Sequence, residues 1–392
     1  MNRLTTSWGE FELTRFPEDP RDALRAWDAA DEYLLRHLHE TDQDLSGTVA
    51  VVGDRWGALT TVLSAAAGAA GEVVQIADSH LGRQATLANL ARAGAEVGAE
   101  DGGVRLLTTQ DSPPDRIDVL LVRVPKSLAL LEDQLHRLAP AVHAGTVVVG
   151  AGMVKEIHTS TLTLFERILG PTRTSLAVKK ARLVHTTPDP ALRPGANPWP
   201  YRYDLPADAA AGVAGRTVTN HAGVFCADRL DIGTRFFLKH LPERLGPARV
   251  VDLGCGNGVV GLAVALREPD AELVFTDESY QAVASAEETF HANAEPGRKA
   301  EFLVADGVAD LPAESVDLVL NNPPFHSHQA TTDRTARRMF SGARRVLRPG
   351  GELWVIGNRH LGYHATLRRV FGNCELVASD PKFVVLRAVK RG

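Results

Sequence analysis

The residues best suited to chemistry form a short proline-containing run, Asn321-Asn322-Pro323-Pro324-Phe325. The run directly follows an apolar segment that predicts a strand. Two prolines fix an extended turn at the end of that strand, and proline has no N–H to donate. The Asn322 side-chain oxygen and the Pro323 carbonyl are therefore two acceptors that converge on one amino group, while Phe325 offers that group a flat face. The run predicts a site for a planar amino or amide NH₂ group.

A glycine-rich turn follows a second predicted strand and reads Asp252-Leu253-Gly254-Cys255-Gly256-Asn257-Gly258. Glycine lets a ligand approach the backbone where a Cβ atom would clash. The acidic Asp252 ahead of the glycines suits a ligand with a cationic amino-acid tail, whereas a pyrophosphate is bound by amide donors. The turn therefore favours S-adenosylmethionine. Its G-x-G-x-x-G spacing also fits a nicotinamide dinucleotide.

Two further acids stand at predicted strand ends. Asp277 closes the strand after the glycine-rich turn and is placed to accept hydrogen bonds from both ribose hydroxyls. That role fits NAD and S-adenosylmethionine equally well. Asp306 follows the segment 301–305 and is placed to bind an adenine amino group, although an acid there can also cap a helix.

Composition and cysteine spacing exclude several other classes of protein. The sequence is 44% hydrophobic and 23% charged, which is typical of globular domains. Its cysteines, Cys226, Cys255 and Cys374, have neither the number nor the spacing of a disulfide framework or a zinc site, so we expect no metal. The N-terminus lacks the apolar core of a signal peptide, and the Ala-rich segment 58–70 is too short and too polar to span a membrane. We expect a cytoplasmic protein with no membrane partner.

The elements that position these motifs are short apolar runs without strict alternation, separated by helical segments. This pattern predicts parallel sheets that are buried on both faces, in which ligands bind at the carboxyl ends of the strands. Six prolines lie between Thr187 and Pro206. They predict an extended linker at 188–206 between a first domain at 1–187 and a second at 207–392.

The two predicted domains repeat the same landmarks in the same order, at an offset of about 200 residues. The matched segments are 47–57 with 248–258, 72–78 with 272–277, 116–122 with 315–321 and 138–150 with 345–357. Duplication of one α/β domain explains this order better than two unrelated α/β domains with a similar rhythm. The first copy has bulky Arg55 and Trp56 in its glycine turn and no Asn-Pro-Pro run, although Asp78 matches Asp277 in this alignment.

Together these motifs resemble the class I S-adenosylmethionine-dependent methyltransferases of the amino-methylating N-P-P-[FYW] group. Within that group the chain is similar to bacterial rRNA guanine-N2 methyltransferases built from two tandem methyltransferase-like domains. The resemblance spans nearly the whole chain. Residues 25–35 favour the branch that modifies the large ribosomal subunit over its small-subunit relative. The other matching segments are 225–238, 251–262, 277–279, 321–326, 358–361 and 373–386.

The resemblance implies an α/β fold of two tandem class I methyltransferase (Rossmann-like) domains, the N-terminal one degenerate. It implies that a monomer methylates the exocyclic N2 of a guanine in 23S rRNA and holds that guanine with residues 322–325. Cys226 stands where the family has a serine, so a catalytic role for that side chain is not expected. The implied cofactor-binding residues are Asp231, Gly233, Thr234, Asp252, Gly254, Gly256, Asn257, Gly258, Asp277, Asp306 and Asn321.

The charge distribution bears on an RNA partner. The formal net charge of −5 excludes indiscriminate coating of nucleic acid but not local recognition. Arginines between 337 and 348 alternate with apolar residues, which predicts an amphipathic helix with a solvated arginine face. Arg359 and His360 are better candidates for RNA contact beside the substrate. In the degenerate domain, the candidate phosphate contacts are Lys126, Lys155, Arg173, Lys179, Lys180 and Arg182.

The sequence leaves several alternatives open. Within the N-P-P-F group, the substrate could instead be guanine N2 of 16S rRNA, adenine N6 or a protein glutamine. The G-x-G-x-x-G spacing and Asp277 also fit a NAD-dependent oxidoreductase. A third class is a non-enzymatic rRNA-binding assembly factor, which the degenerate first domain would suit.

Overall fold

The computed structural model divides the chain into two compact units, Met1–Trp199 (unit 1) and Pro200–Gly392 (unit 2). The structure describes residues 2–19, 23–68, 71–98, 103–210, 212–243, 245–324 and 329–392, with side chains in the last range described from residue 334 onward. Among the helices described, none has the length and apolar character needed to cross a membrane.

Unit 1 alternates strands and helices along its described residues. Its main sheet has the order β5-β4-β3-β6-β7-β9-β8, in which β9 runs in the direction opposite to the other six strands. The elements are β1 (Arg3–Thr6), β2 (Gly9–Glu12), α1 (Ala29–Glu40), β3 (Thr48–Val52), α2 (Ala58–Ala67), β4 (Glu72–Ala77), α3 (His80–Ala93), β5 (Gly103–Thr108), β6 (Ile117–Arg123), α4 (Leu128–Leu138), β7 (Val142–Met153), α5 (Thr159–Ile168), β8 (Thr172–Thr174) and β9 (Ala181–Thr186).

Unit 2 repeats this arrangement after a two-stranded hairpin. Its main sheet has the order β14-β13-β12-β15-β16-β18-β17, and β18 runs in the direction opposite to the other six strands. The elements are β10 (Tyr201–Asp204), β11 (Thr217–Asn220), α6 (Ile232–Leu238), β12 (Arg249–Leu253), α7 (Val259–Arg267), β13 (Glu272–Asp277), α8 (Tyr280–Asn293), β14 (Ala300–Val304), β15 (Val316–Asn321), α9 (Gln329–Val346), β16 (Leu347–Asn358), α10 (Tyr363–Phe371), β17 (Glu375–Ser379) and β18 (Phe383–Val389).

The two main sheets have the same strand order and the same strand directions, which confirms the predicted fold class of two tandem Rossmann-like domains. The central strands are short and apolar because both of their faces are buried. In β12, Val250 and Val251 are fully buried on opposite faces. On one face, Phe275 of β13 packs edge-on against Phe290 of α8, with ring centroids 5.7 Å apart. This core fixes the strand ends at which the predicted motifs lie.

The register of the sheets corrects the predicted match between Asp78 and Asp277. Strand β4 has six residues and ends at Ala77, and Ser79 caps the helix that follows it. Strand β13 also has six residues and ends at Asp277, and its helix is capped by Ser279. The position of Asp277 is therefore occupied by Ala77 in unit 1. The sequence match was wrong by one residue because both units have an acid within one position of the strand end.

The proline-rich segment 188–206 is shared between the two units. Within unit 1, Asn197 Nδ2 donates a hydrogen bond of 2.7 Å to Asp133 Oδ1, and Trp199 Nε1 donates one of 3.2 Å to Glu132 Oε2. Strand β10 then pairs antiparallel with β11 inside unit 2. The division between the units falls inside this segment, and these two hydrogen bonds hold Asn197 and Trp199 to unit 1.

Candidate active site

The glycine-rich turn between β12 and α7 forms a bare backbone surface. Gly254, Gly256 and Gly258 have φ angles of 72°, 54° and 77°, in the left-handed region that favours glycine. A Cβ atom on Gly258 would lie 2.8 Å from Ala286 Cβ, so this glycine allows α8 to pack closely. A Cβ atom on Gly256 would meet nothing within 4 Å. Gly256 therefore leaves a cradle that a ligand can enter.

Asp277 stands beside this cradle with its carboxylate oriented by two backbone amides. Gly256 N donates to Asp277 Oδ2 at 3.1 Å, and Ser279 N donates to Asp277 Oδ1 at 3.1 Å. A carboxylate oxygen can accept more than one hydrogen bond, and Asp277 is only half-buried. Its geometry fits the predicted role of accepting ribose hydroxyls.

Asp252 lies inside the fold, beneath the turn. It is 3% exposed, and its Oδ2 accepts a hydrogen bond of 2.7 Å from Gly261 N in the first turn of α7. Burial, together with the nearby charge of Asp277, raises the pKa of Asp252 to about 7 despite that hydrogen bond. Asp252 supports the start of α7, and its predicted contact with a cationic cofactor tail stays a prediction.

Asn257 is held by a residue that sequence reasoning missed. Its Nδ2 donates to Asn220 Oδ1 at 2.9 Å, and Asn220 is fully buried at the end of β11. The Nδ2 of Asn220 is buried without a hydrogen-bond partner among the described residues. The pairing joins residues far apart in sequence, and only the packing of the β10–β11 hairpin reveals it.

Asn321 ties the end of β15 to the glycine-rich turn. It is fully buried, and its Nδ2 donates a hydrogen bond of 2.7 Å to the carbonyl of Leu253. Its Oδ1 is buried and lacks a partner within the described part of the chain. Asn321 thus holds the two central strand ends together.

The segment predicted to cover the cofactor also contacts Asn322. Asp231 caps α6, and its Oδ2 accepts hydrogen bonds from Thr234 N at 2.8 Å and from Thr234 Oγ1 at 3.3 Å. Asn322 Nδ2 in turn donates to Thr234 Oγ1 at 3.1 Å. Gly233 is buried between them, and a Cβ atom there would lie 3.0 Å from the ring of Phe383. Segment 231–234 therefore contacts Asn322, the first residue of the turn 322–324, which we call the substrate turn.

The substrate turn presents an open acceptor. Asn322 Oδ1 is buried and has no hydrogen-bond partner among the described residues. Pro323 is buried, and Pro324 is exposed. Phe325, the predicted flat face, lies outside the described residues. A buried oxygen without a partner is costly unless a ligand donor reaches it, so Asn322 fits the predicted role of holding an amino group.

The loop after β14 is bonded to arginines of α9 that were predicted to be solvated. Arg338 Nη2 lies 3.0 Å from Asp306 Oδ1. Arg345 donates to the carbonyls of Val308 and Leu311 at 2.6 and 2.9 Å. Arg345 is nevertheless exposed and the Arg338 side chain is 39% exposed, as predicted for a solvated face, and in addition both bind the loop, because α9 packs alongside it. The predicted contact of Asp306 with adenine stays a prediction.

In unit 1, Arg123 occupies the position of Asn322. Val52 pairs with Val122 across β3 and β6, as Leu253 pairs with Asn321 across β12 and β15, and the next residues are Arg123 and Asn322. The Arg123 side chain is fully buried. A buried guanidinium in unit 1 therefore corresponds to the Asn322 amide of the substrate turn in unit 2.

Arg123 is neutralised by the cap of α1, Asp28, and by Asp31 in the first turn of that helix. Its Nη2 lies 2.9 Å from Asp28 Oδ2, and its Nε lies 2.7 Å from Asp31 Oδ1. Burial lowers the pKa of Arg123, but Asp31 and Asp28 outweigh burial and raise it overall. Burial raises the pKa of Asp31 to about 6, although Arg123 opposes this shift. The cluster is a closed ion network.

The cradle of Gly256 is filled in unit 1 as well. Arg55 takes the place of Gly256, and its guanidinium lies 3.1 Å from Glu156 Oε1 and 3.7 Å from Asp28 Oδ2. A bulky charged side chain thus stands where unit 2 has bare backbone.

The cysteines of unit 2 are not activated. Burial raises the pKa of Cys226, Cys255 and Cys374, so all three thiols are protonated near neutral pH. Within the described residues, no group of His, Cys, Asp and Glu side chains is arranged to hold a metal ion.

Comparison with known proteins identifies the family. Residues 1–190 match the RLMG N-terminal domain, and residues 215–387 match the methyltransferase small domain. A relative from Streptomyces griseus is 72% identical over 100% of both chains, and one from Pseudomonas aeruginosa is 48% identical over 100% of both chains. Both are named ribosomal RNA large subunit methyltransferase G. The chain belongs to the ribosomal RNA large subunit methyltransferase G family.

A solved structure shows the same two-domain fold. The 16S rRNA N2 G1207 methyltransferase of T. thermophilus, solved in complex with AdoMet and guanosine, aligns with 99% of this chain and 97% of its own at a TM-score of 0.75 and 22% identity. This ribosomal RNA large subunit methyltransferase G family member is a methyltransferase, and S-adenosylmethionine is its cofactor. The cradle at Gly256 and the carboxylate of Asp277 fit that cofactor, as described above.

Proposed function

We propose that the chain methylates the exocyclic N2 of a guanine in 23S rRNA. The observation on which this depends is the buried Oδ1 of Asn322, which has no partner among the described residues and stands at an Asn-Pro-Pro turn. The names of the relatives support the large-subunit substrate, and the guanine specificity of the T. thermophilus enzyme supports the nucleobase. An rRNA substrate also implies that the enzyme works in the cytoplasm.

The substrate turn orients the guanine amino group, which is the nucleophile. Asn322 Oδ1 and the Pro323 carbonyl each accept one N–H of the guanine amino group, which fixes its orientation. S-adenosylmethionine, when bound, supplies an electrophilic methyl group on a sulfonium. The nitrogen lone pair would form a bond to this methyl carbon as the carbon–sulfur bond breaks and its electron pair goes to sulfur, which leaves S-adenosylhomocysteine. The acceptors would stabilise the positive charge on the nitrogen until one of its protons passes to water after the transfer. Positioning provides most of the expected acceleration.

The target guanine must leave its base stack, because N2 cannot be reached within a helix. An unpaired or loop guanine costs least to extrude. In the family pattern the face of Phe325 covers the base, and this residue stays a predicted contact.

We further propose that unit 1 is a degenerate domain that binds no cofactor and positions the RNA, with domain bounds at 1–187 and 207–392 around the linker 188–206. The buried Arg123 cluster and Arg55 support the loss of cofactor binding. Exposed basic residues support a role in RNA contact, Lys155 and Lys180 among them. Lys179 is paired with Glu32 at 3.0 Å and is the weaker candidate. We expect the enzyme to act as a monomer.

Methyl transfer to defined RNA tests the proposal. The full chain is incubated with labelled S-adenosylmethionine and with 23S or 16S rRNA, naked or in subunits, from a strain that lacks the gene. We expect label in 23S rRNA as N2-methylguanine by mass spectrometry, and a loss of at least about a hundredfold in Asn322→Ala with S-adenosylhomocysteine binding retained. Label in adenine, protein or 16S rRNA, or full activity of Asn322→Ala, would contradict it.

A further inference from the structure

We propose that Asp231 and Thr234 are positioning residues that fix the side-chain amide of Asn322 with its oxygen toward the substrate. Thr234 was predicted to bind the cofactor, and the structure gives it a different neighbour, Asn322 Nδ2 at 3.1 Å. The inference rests on the proposed function, because it concerns how the same substrate turn selects an amino group. It concerns the rate of transfer rather than cofactor affinity.

The direction of the hydrogen bonds determines which way the amide points. A threonine hydroxyl has one proton to donate, and an aspartate carboxylate can only accept. Thr234 Oγ1 lies 3.3 Å from Asp231 Oδ2 and therefore donates its proton to Asp231. Its oxygen must then accept the bond from Asn322, so the NH₂ of Asn322 faces Thr234. The Oδ1 of Asn322 is left on the opposite side, facing the substrate.

The hydrogen bonds from Asn322 to Thr234 and from Thr234 to Asp231 form a relay, and Asp231 anchors it. Asp231 Oδ2 also accepts a hydrogen bond of 2.8 Å from Thr234 N, which keeps the carboxylate beside the hydroxyl. Gly233 has too little space around it for a larger side chain. The segment therefore cannot shift easily, and the orientation of Asn322 is set before any substrate binds.

Unit 1 offers independent support, because the three equivalent positions are again in contact. Asp28 caps α1 as Asp231 caps α6, and Asp31 lies three residues later, as Thr234 does. Arg123, at the position of Asn322, lies against both acids. The fold brings these positions together in both units. Unit 1 closes the cluster with charge, whereas unit 2 leaves an acceptor open.

The relay also predicts specificity. An oxygen that faces the substrate accepts an N–H and repels a carbonyl oxygen. A flipped amide would present its NH₂ instead and would leave the substrate amino group opposite another donor. Fixing the amide therefore favours a base edge with an amino group.

Threonine variants of the full chain test the proposal. Thr234→Val keeps the side-chain shape but removes the hydroxyl, so we expect kcat on 23S rRNA to fall at least about tenfold. We expect the Kd for S-adenosylhomocysteine to stay within about twofold. Thr234→Ser restores the hydroxyl and should recover most of the rate. Thr217→Val is a matched control, since Thr217 also donates to an aspartate, Asp204, at 2.7 Å in the β10–β11 hairpin.

The outcomes separate the possible failures. If Thr234→Val weakens S-adenosylhomocysteine binding and leaves kcat unchanged, Thr234 is a cofactor residue and the relay is wrong. If Thr234→Ser is as slow as Thr234→Val while both fold, the hydroxyl is not the active feature, and the relay is again overturned. If the wild-type chain does not methylate guanine N2, the proposed function fails first, and the relay fails with it.

Discussion

Arg123 and Asn322 occupy the same position at the end of the fourth strand of two sheets with one topology. Arg123 is buried and neutralised by acids, whereas Asn322 keeps a buried oxygen without a partner among the described residues. The residue types differ while the surrounding fold is the same, since Arg123 contacts Asp31 and Asn322 contacts Thr234, each three residues after the cap of the helix that precedes β3 or β12. One fold thus gives a closed ion cluster in unit 1 and an open acceptor in unit 2.

The first prediction concerns the stability of the cluster in unit 1. Arg123→Met keeps an unbranched chain but removes the guanidinium, which leaves Asp31 buried without its cation. Removing one partner of a buried ion pair costs about 3–5 kcal/mol. We expect a large loss of thermal stability in the first unit, measured by calorimetry on the full chain.

Arg55→Met is the matched control for this change. The Arg55 side chain is 42% exposed, and it pairs with Asp28 and with Glu156, whose side chain is 8% exposed. We expect Arg55→Met to lose more than the roughly 1 kcal/mol of a fully exposed pair but less than Arg123→Met, because water still reaches the Arg55 guanidinium. Equal losses in the two variants would show that burial of Arg123 is not what makes its ion pairs important.

The second prediction follows from the buried carboxyl of Asp252. Its pKa is raised from 3.8 to about 7, so the folded state binds this proton more tightly than the unfolded state does. Ionisation of Asp252 therefore lowers the free energy of unfolding progressively as pH rises from about 4 to about 7, and the whole loss is present above that range. Asp252→Asn can still accept from Gly261 N and has no charge to bury. The variant should melt higher than the wild type at pH 8 and similarly at low pH.

Asp317 provides a control of opposite sign. Burial raises the pKa of Asp317, but its bonds to Arg348 and to Arg249 N outweigh burial and lower it overall. Asp317→Asn should therefore lose stability at neutral pH and lose little at low pH. Melting temperatures at about pH 2.5, 4, 6 and 8 check both variants, because the stabilisation by Asp317 is lost only as pH falls through its lowered pKa, below 3.8. A parallel pH profile for Asp252→Asn and wild type would refute the assignment.

Local signals in the sequence were enough for the fold and for part of the site. The apolar run and glycines of residues 250–258 are adjacent in the chain, so their strand, turn and helix could be predicted directly. The match of Asp78 to Asp277 failed because a one-residue slip is invisible when both strands end close to an acid. Contacts that depend on packing, such as Asn220 with Asn257, have no local signal. Thr234 was assigned to the cofactor through the family resemblance of its segment, and that role stays a prediction, but its contact with Asn322 has no local signal either.

The third prediction concerns the hydrogen bonds of Arg345 to the loop after β14. Arg345→Met removes hydrogen bonds to three backbone carbonyls of the loop after β14, at 2.6, 2.9 and 3.0 Å. We expect a loss of about 1–3 kcal/mol in the free energy of unfolding, measured by urea titration. Arg344→Met, at the exposed neighbouring position, should change stability by less than about 0.5 kcal/mol. Equal small effects would show that the hydrogen bonds of Arg345 do not stabilise the loop.

The fourth prediction separates the ligand role of Gly256 from its backbone strain. Gly256→Ala places a methyl group in the open cradle and strains a residue with φ of 54°. Gly372→Ala imposes a similar strain at φ of 76°, also with nothing within 4 Å of the new atom, but at the end of α10. Both variants should lose about 1 kcal/mol of stability.

Binding should distinguish these two variants. Calorimetry with S-adenosylhomocysteine should show at least about a tenfold weaker Kd for Gly256→Ala, because the added methyl group occupies the space in which the cofactor approaches the backbone. Gly372→Ala should bind like the wild type, since its strain lies away from the turn. If the two variants bound equally well, the open face of Gly256 would not be the cofactor cradle, and the site would have to be sought elsewhere along the strand ends of unit 2.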